Sequence, residues 1–280
     1  MTAPVTLRPT PATEPIPARW VALRLLGPLE ISVDSVEVPL PQRKLRQLLA
    51  TLLIRPNATA STEVLIRELW GDRPPATALA ALRVYVSQLR KFFVQHGLGG
   101  RWCTLRTRAP GYQLQVNDGI LDMVCFDRLC VLAGESAESG RYELASRQYR
   151  EALALRRGPT LEDLRDSPAL AGAALQYDEA WMTALTRRID LDLLLGGHAE
   201  LVGELRRLLA EDPLNEAFCA RLVVALYRNG RSGDALVFYR RIRDQLIEEL
   251  GIEPGLELRL AHQAVLTDDA DFNLEARIPA

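Results

Sequence analysis

The sequence predicts a mainly α-helical chain with a small β part, divided into two domains. Three observations carry this expectation. Short runs of β-branched residues and leucines separated by turns occupy residues 21–38. Apolar residues at helical spacing take over after Pro41 and again from Phe126. The charge changes sign near Asn117. At 280 residues the chain is long enough for two domains of roughly 150 residues, each burying its own core.

The first 18 residues place Pro4, Pro9, Pro11, Pro15 and Pro17 among Thr and Ala, a composition expected to form a disordered leader. They lack the basic start and apolar core of a secretion signal. No stretch approaches the roughly 20 apolar residues of a membrane span, so the expected location is cytoplasmic, with no membrane attachment. Cys103, Cys125, Cys130 and Cys219 form no CxxC pair, and only His96, His198 and His262 could join them. No metal site and no cofactor are expected.

Residues 21–26 and 29–38, around Gly27-Pro28 and Asp34-Ser35, suit a small N-terminal sheet. Leu45, Leu48, Leu49, Leu52 and Leu53 then mark one face of a first helix, which Pro56 stops. Ser61 or Thr62 can cap a short second helix, with Glu63 at its positive end and Gly71 after its last turn. A third, longer helix follows Pro74-Pro75, aligns Leu79, Leu82, Val86, Leu89 and Phe93, and ends by Gly97. Residues 102–116 alternate around Ala109-Pro110-Gly111 as a hairpin, with Thr104, Arg106 and Arg108 on one side of its first strand. Strands, three helices and a basic hairpin, over residues 19–117, have the order of a winged helix-turn-helix.

Charge agrees with that order. Residues 19–117 hold 14 Lys and Arg against 6 Asp and Glu, whereas residues 118–280 hold 19 against 29. A compact basic domain is the electrostatic footprint of a protein that meets phosphates, since each cation so placed releases condensed counterions. On the third helix Arg83, Ser87 and Arg90 form a stripe about a quarter turn from the apolar face, with Lys91 beyond it. These four residues, Arg106 and Arg108 of the hairpin, and Arg43, Lys44 and Arg46 at the start of the first helix are the expected DNA contacts.

The acidic part, residues 122–267, is a succession of Ala-, Leu- and Arg-rich helical patterns broken by Gly140, Gly158-Pro159, Pro168, Gly196-Gly197, Pro213, Gly230 and Pro254. Seven or eight helices are expected. Aligning Gly196 with Gly230 gives the 34-residue spacing of a tetratricopeptide-like helix pair, so this domain reads as an all-α helical repeat whose groove suits a protein partner. Tyr177, Trp181, Phe238 and Tyr239 read as core. The run Arg240 to Arg243 reads as a solvated face with intrahelical partners among Asp244, Glu248 and Glu249. Residues 268–280 read as a flexible acidic tail.

The stretch ALRVYVSQLRKFF (residues 81–93) followed by APGYQL (residues 109–114) resembles the OmpR-type winged-helix domain. The ending LGIEPGLELRLAHQAVL (residues 250–266) is similar to a bacterial transcriptional activator domain, and together they resemble the Streptomyces antibiotic regulatory protein family in its small form. That resemblance implies an activator that binds direct repeats in double-stranded promoter DNA as a homodimer and controls antibiotic or secondary-metabolite genes. It also implies contact with RNA polymerase holoenzyme through the loop between the second and third helices, here with Asp72 and Arg73. No catalysis is expected: the sequence has no phosphate loop, HExxH pair or nucleophile elbow. No phospho-acceptor receiver domain is expected before the winged helix.

Overall fold

A computed structural model describes residues 20–117, 119–269 and 272. The expected leader lies outside the described residues. So does most of the expected acidic tail, of which Asp268, Asp269 and the buried Phe272 are described. The chain forms two compact units. One comprises residues up to Leu23 and Glu30–Ile120, the other Arg24–Leu29 and Leu121 onward.

In the first unit, β1 (Val21–Arg24), β2 (Glu30–Val33) and β3 (Val36–Glu37) form a three-stranded sheet in that order. The β2–β3 turn places Asp34 and Ser35 at φ 53° and 65°, the doubly left-handed conformation of a tight hairpin. Next come α1 (Arg43–Leu53), β4 (Thr59–Ser61), α2 (Thr62–Trp70), α3 (Ala78–Gln95), β5 (Cys103–Arg108) and β6 (Gly111–Val116). Leu48, Leu49, Leu53, Leu65, Leu82 and Leu89 are fully buried, so the predicted apolar faces pack except at Leu79, which at the first turn of α3 is 43% exposed because the buried stripe of that helix runs through Ala78 instead. Ser61 caps α2 by accepting from the Val64 N–H at 3.2 Å.

The strand β4 is absent from the sequence expectation. Its three residues show no apolar alternation; it exists because its backbone pairs with β6, giving the order β4-β6-β5. That pairing constrains Gly111, which lies opposite Ser61. A Cβ there would stand 2.0 Å from the Ala60 carbonyl oxygen and 2.8 Å from Ser61 Cα. Gly111→Ala is therefore expected to destabilise the unit by about 1–3 kcal/mol, since backbone atoms must move to admit the methyl. Thermal denaturation would reveal this as a lowered midpoint, and an unchanged midpoint would mean that β4 separates from β6 at little cost.

The second unit contains α4 (Asp122–Glu138), α5 (Tyr142–Leu153), α6 (Pro168–Leu194), α7 (His198–Glu211), α8 (Glu216–Arg228), α9 (Ser232–Gln245) and α10 (Leu256–Thr267). Seven α-helices among the described residues fall within the expected number. Helix α8 is its centre: Phe218 through Tyr227 are all buried, in one cluster with residues of α6, α7, α9 and α10.

Segment 24–29 belongs to this second unit, although it interrupts the strands of the first sheet. Its amides are held by Asp122, whose carboxylate accepts from Leu25 N at 2.8 Å and Leu26 N at 2.9 Å, as well as from Met123 N. Burial pushes the Asp122 carboxyl up to about 6, opposed by these three N–H groups. Its carbonyls are met by Arg157 N, which donates to Leu26 O at 2.8 Å, and by Leu161 N, which donates to Gly27 O at 2.8 Å.

Two buried arginines also organise the second unit. Arg188 pairs with Asp192 at 3.1 Å and with Glu204, while Asp192 accepts from Ser146 at 2.6 Å and Arg150 at 2.8 Å. Arg221 pairs with Asp190 at 2.6 Å and Glu257 at 2.9 Å and also donates to Ala217 O. The neighbouring carboxylates hold both guanidinium groups above the ordinary arginine range in spite of burial.

Candidate nucleic-acid interface

Helix α3 buries Leu82, Val86, Leu89 and Phe93 and exposes Arg83, Ser87, Arg90 and Lys91. The four polar residues anticipated from spacing thus share one solvent-facing stripe. Tyr85, on the other flank, stacks on Trp70 of α2 with ring centroids 6.1 Å apart, fixing the position of α3 against α2. Val84 is 53% exposed beside Arg83, and with exposed Ala80 it adds an apolar strip to the same surface. Sequence reasoning missed these two. The available signal was that both fall off the 3,4 apolar spacing yet stand among exposed positions.

Arg90 has a more specific place than the stripe implied. Its Nε donates to Leu105 O and its Nη2 to Thr107 Oγ1, each at 2.9 Å, so it joins α3 to β5 of the wing. Arg106 and Arg108 are exposed on β5, opposite Gln113 and Gly111 of β6. Arg108 Nη1 donates to Gln113 Oε1 at 3.3 Å. The turn of the wing is fastened at its tip, where Pro110 O accepts from Thr62 N at 3.2 Å and Thr62 Oγ1 at 3.0 Å. Helices α2 and α3 and the wing therefore form one connected body, which presents α3 and β5 cations together.

The α1 cations divide. Lys44 is half-buried; its Nζ donates to Leu69 O, lies 3.3 Å from Gln47 Oε1, and stands 6.0 Å from the Trp70 ring centroid. Since it neutralises carbonyl oxygen at the end of α2, it is engaged within the helix-turn-helix. Arg43 is exposed and Arg46 half-buried. Asp72 and Arg73 are exposed in the loop between α2 and α3.

The four cysteines are free thiols; burial pushes Cys103 and Cys219 up to about 12, which makes them poor nucleophiles and poor metal ligands at neutral pH. Among the described residues, no group of three or more His, Cys, Asp or Glu could hold a metal ion, and no helix is long and apolar enough to cross a membrane.

The class so defined is a winged helix-turn-helix joined to an all-α helical array. The family described as transcriptional regulatory protein, C terminal, matches residues 37–114, and the bacterial transcriptional activator domain matches residues 121–266. The chain is 34% identical over 252 residues to the regulatory protein DnrI of Streptomyces peucetius, covering 88% of this chain and 92% of that protein. It is 36% identical over 242 residues to the transcriptional regulatory protein EmbR of Mycobacterium tuberculosis, covering 86% of this chain but 62% of EmbR. A solved structure of M. tuberculosis EmbR in complex with a low-affinity phosphopeptide superposes with a TM-score of 0.83 at 34% identity, covering 89% of this chain and 66% of that one. The chain belongs to the Streptomyces antibiotic regulatory protein family of transcriptional regulators.

Proposed function

We propose that this protein binds promoter DNA sequence-specifically through its first unit and activates transcription by recruiting RNA polymerase. The observation that carries this reading is the exposed stripe of Arg83, Ser87 and Lys91 on α3, continuous with the Arg106 and Arg108 edge of the wing. In this reading α3 enters the major groove, where Arg83 offers a two-pronged donor to guanine and Val84 an apolar contact to a thymine methyl. Lys91, Arg43, Arg46, Arg106 and Arg108 meet phosphates or the minor-groove edge. Arg90 sets the wing against α3, and Lys44 serves the packing of α1 on α2.

Two protomers bind direct repeats upstream of a promoter, in keeping with the family, and the targets are antibiotic or other secondary-metabolite genes. The protein acts in the cytoplasm and without catalysis. The exposed loop bearing Asp72 and Arg73 meets the polymerase holoenzyme. Arg73→Glu is accordingly expected to lower transcription in a reconstituted assay while leaving DNA affinity nearly unchanged. Equal loss of both would place Arg73 on the DNA instead, and loss of neither would remove the loop from the polymerase contact.

A further inference from the structure

A cleft of about 530 Å³ opens on the second unit where α7 and α9 flank α8. Its floor is apolar: Leu209 and Leu222 are buried, Phe238 is half-buried, and Val237 is 63% exposed. Its rim is cationic. Of the three arginines there, Arg231 is committed to Asp234, with Nη2 and Oδ2 2.6 Å apart. Arg206 and Arg241 have no carboxylate within ion-pair distance among the described residues, and Arg241 lies 5.3 Å from the Phe238 ring centroid. The solvated-face reading of residues 240–243 holds for the exposure of its three arginines but not for their expected partners: Arg243 pairs with Glu253 at 2.7 Å, across the turn that follows α9, in place of Asp244, Glu248 or Glu249, and Arg241 faces the cleft.

Two unpaired cations beside an exposed apolar strip are unexpected in a part of the chain that carries 19 basic against 29 acidic residues. Two cations without a carboxylate partner at one cleft favour a negatively charged occupant there. Apolar side chains of an occupant would cover Val237 and Phe238, and carboxylates beside them would complement Arg206 and Arg241. The openness of the floor at Val237 suits a row of side chains on a peptide.

We propose that the α7–α9 cleft docks an acidic amphipathic peptide segment of a partner protein, seating an apolar residue on Val237 and Phe238 between carboxylates bound by Arg206 and Arg241. This site is separate from DNA recognition by the first unit, so either reading can fail alone.

The test uses the full chain and two fluorescein-labelled dodecapeptides, one with Leu and Glu at helical spacing and the other with every Glu replaced by Gln. Anisotropy is expected to report saturable, salt-weakened binding of the acidic peptide only. Arg206→Glu with Arg241→Glu should weaken it by at least about tenfold, and Val237→Asp should weaken it as well. Arg207→Glu, on α7 outside the cleft, should not. Circular dichroism checks folding, and Arg206→Gln with Arg241→Gln replaces the reversal if that variant unfolds. Absence of binding, equal binding of both peptides, or binding unaffected by the Arg206 and Arg241 substitutions would overturn the proposal. So would a double variant that loses duplex-DNA affinity with peptide binding unchanged, which would make the cleft a nucleic-acid contact.

Discussion

Replacing Arg221 by alanine is expected to cost about 3–5 kcal/mol of stability, because it removes the guanidinium that pairs with two carboxylates inside the second unit. Arg221 and Asp190 have side chains only 4% and 5% exposed, so water takes over little of what the guanidinium supplies to Asp190. Glu257, 31% exposed, can turn toward solvent and should contribute less. For a unit of this size the loss corresponds to a fall in melting midpoint of about 10 °C. Arg221→Met with Asp190→Leu, which removes both buried charges, should recover most of it. A midpoint within a degree or two of wild type for Arg221→Ala would mean that the pair is solvated and that packing around α8 carries the stability alone.

Removing Arg83 and Lys91 together is expected to lower specific DNA affinity by about a hundredfold or more, since a base-reading arginine is worth about 1–3 kcal/mol and a phosphate-bound lysine adds an electrostatic contribution. The two halves should separate by measurement. Arg83→Ala should relax sequence preference, whereas Lys91→Ala should weaken all duplexes alike and reduce the slope of log affinity against log salt by about 1. Lys44→Ala provides the contrast: its ammonium is bound to Leu69 O, so the expected change is a lower melting midpoint with the salt slope preserved. Unchanged affinity in the Arg83 and Lys91 double variant would take α3 off the DNA.

The contrast between Lys91 and Lys44 also shows what was legible in the sequence. Helices α1 to α3 declare themselves because Leu48, Leu82 and Leu89 recur with the period of the helix that buries them. The exposed face of α3 follows from the same period. Whether a cation on a helix faces solvent or caps a neighbour depends on a second element, and nothing near Lys44 in sequence encodes the carbonyl of Leu69 that it meets. Arg90 is the same case, with acceptors on β5. The buried charges are illegible for a related reason: the i,i+4 spacing of Arg188 and Asp192 is equally that of a solvated pair, and only Glu204 of α7 and Ser146 of α5 close around them. The hold of Asp122 on Leu25, 97 residues earlier, is wholly non-local. Strand β4 has no hydrophobic signal because backbone pairing, and not side-chain burial, defines it.

Duplex-DNA reading by the first unit, through α3 and the wing, is the proposal on which the protein's function rests. Its most direct test is selection of bound duplexes from a random library, with affinity for the recovered sequence then measured at several salt concentrations beside a scrambled control. The expected result is enrichment of a directly repeated motif, bound far more tightly than the scramble and with affinity that falls steeply as salt rises. No enriched motif, or equal and salt-independent affinity for both duplexes, would contradict it.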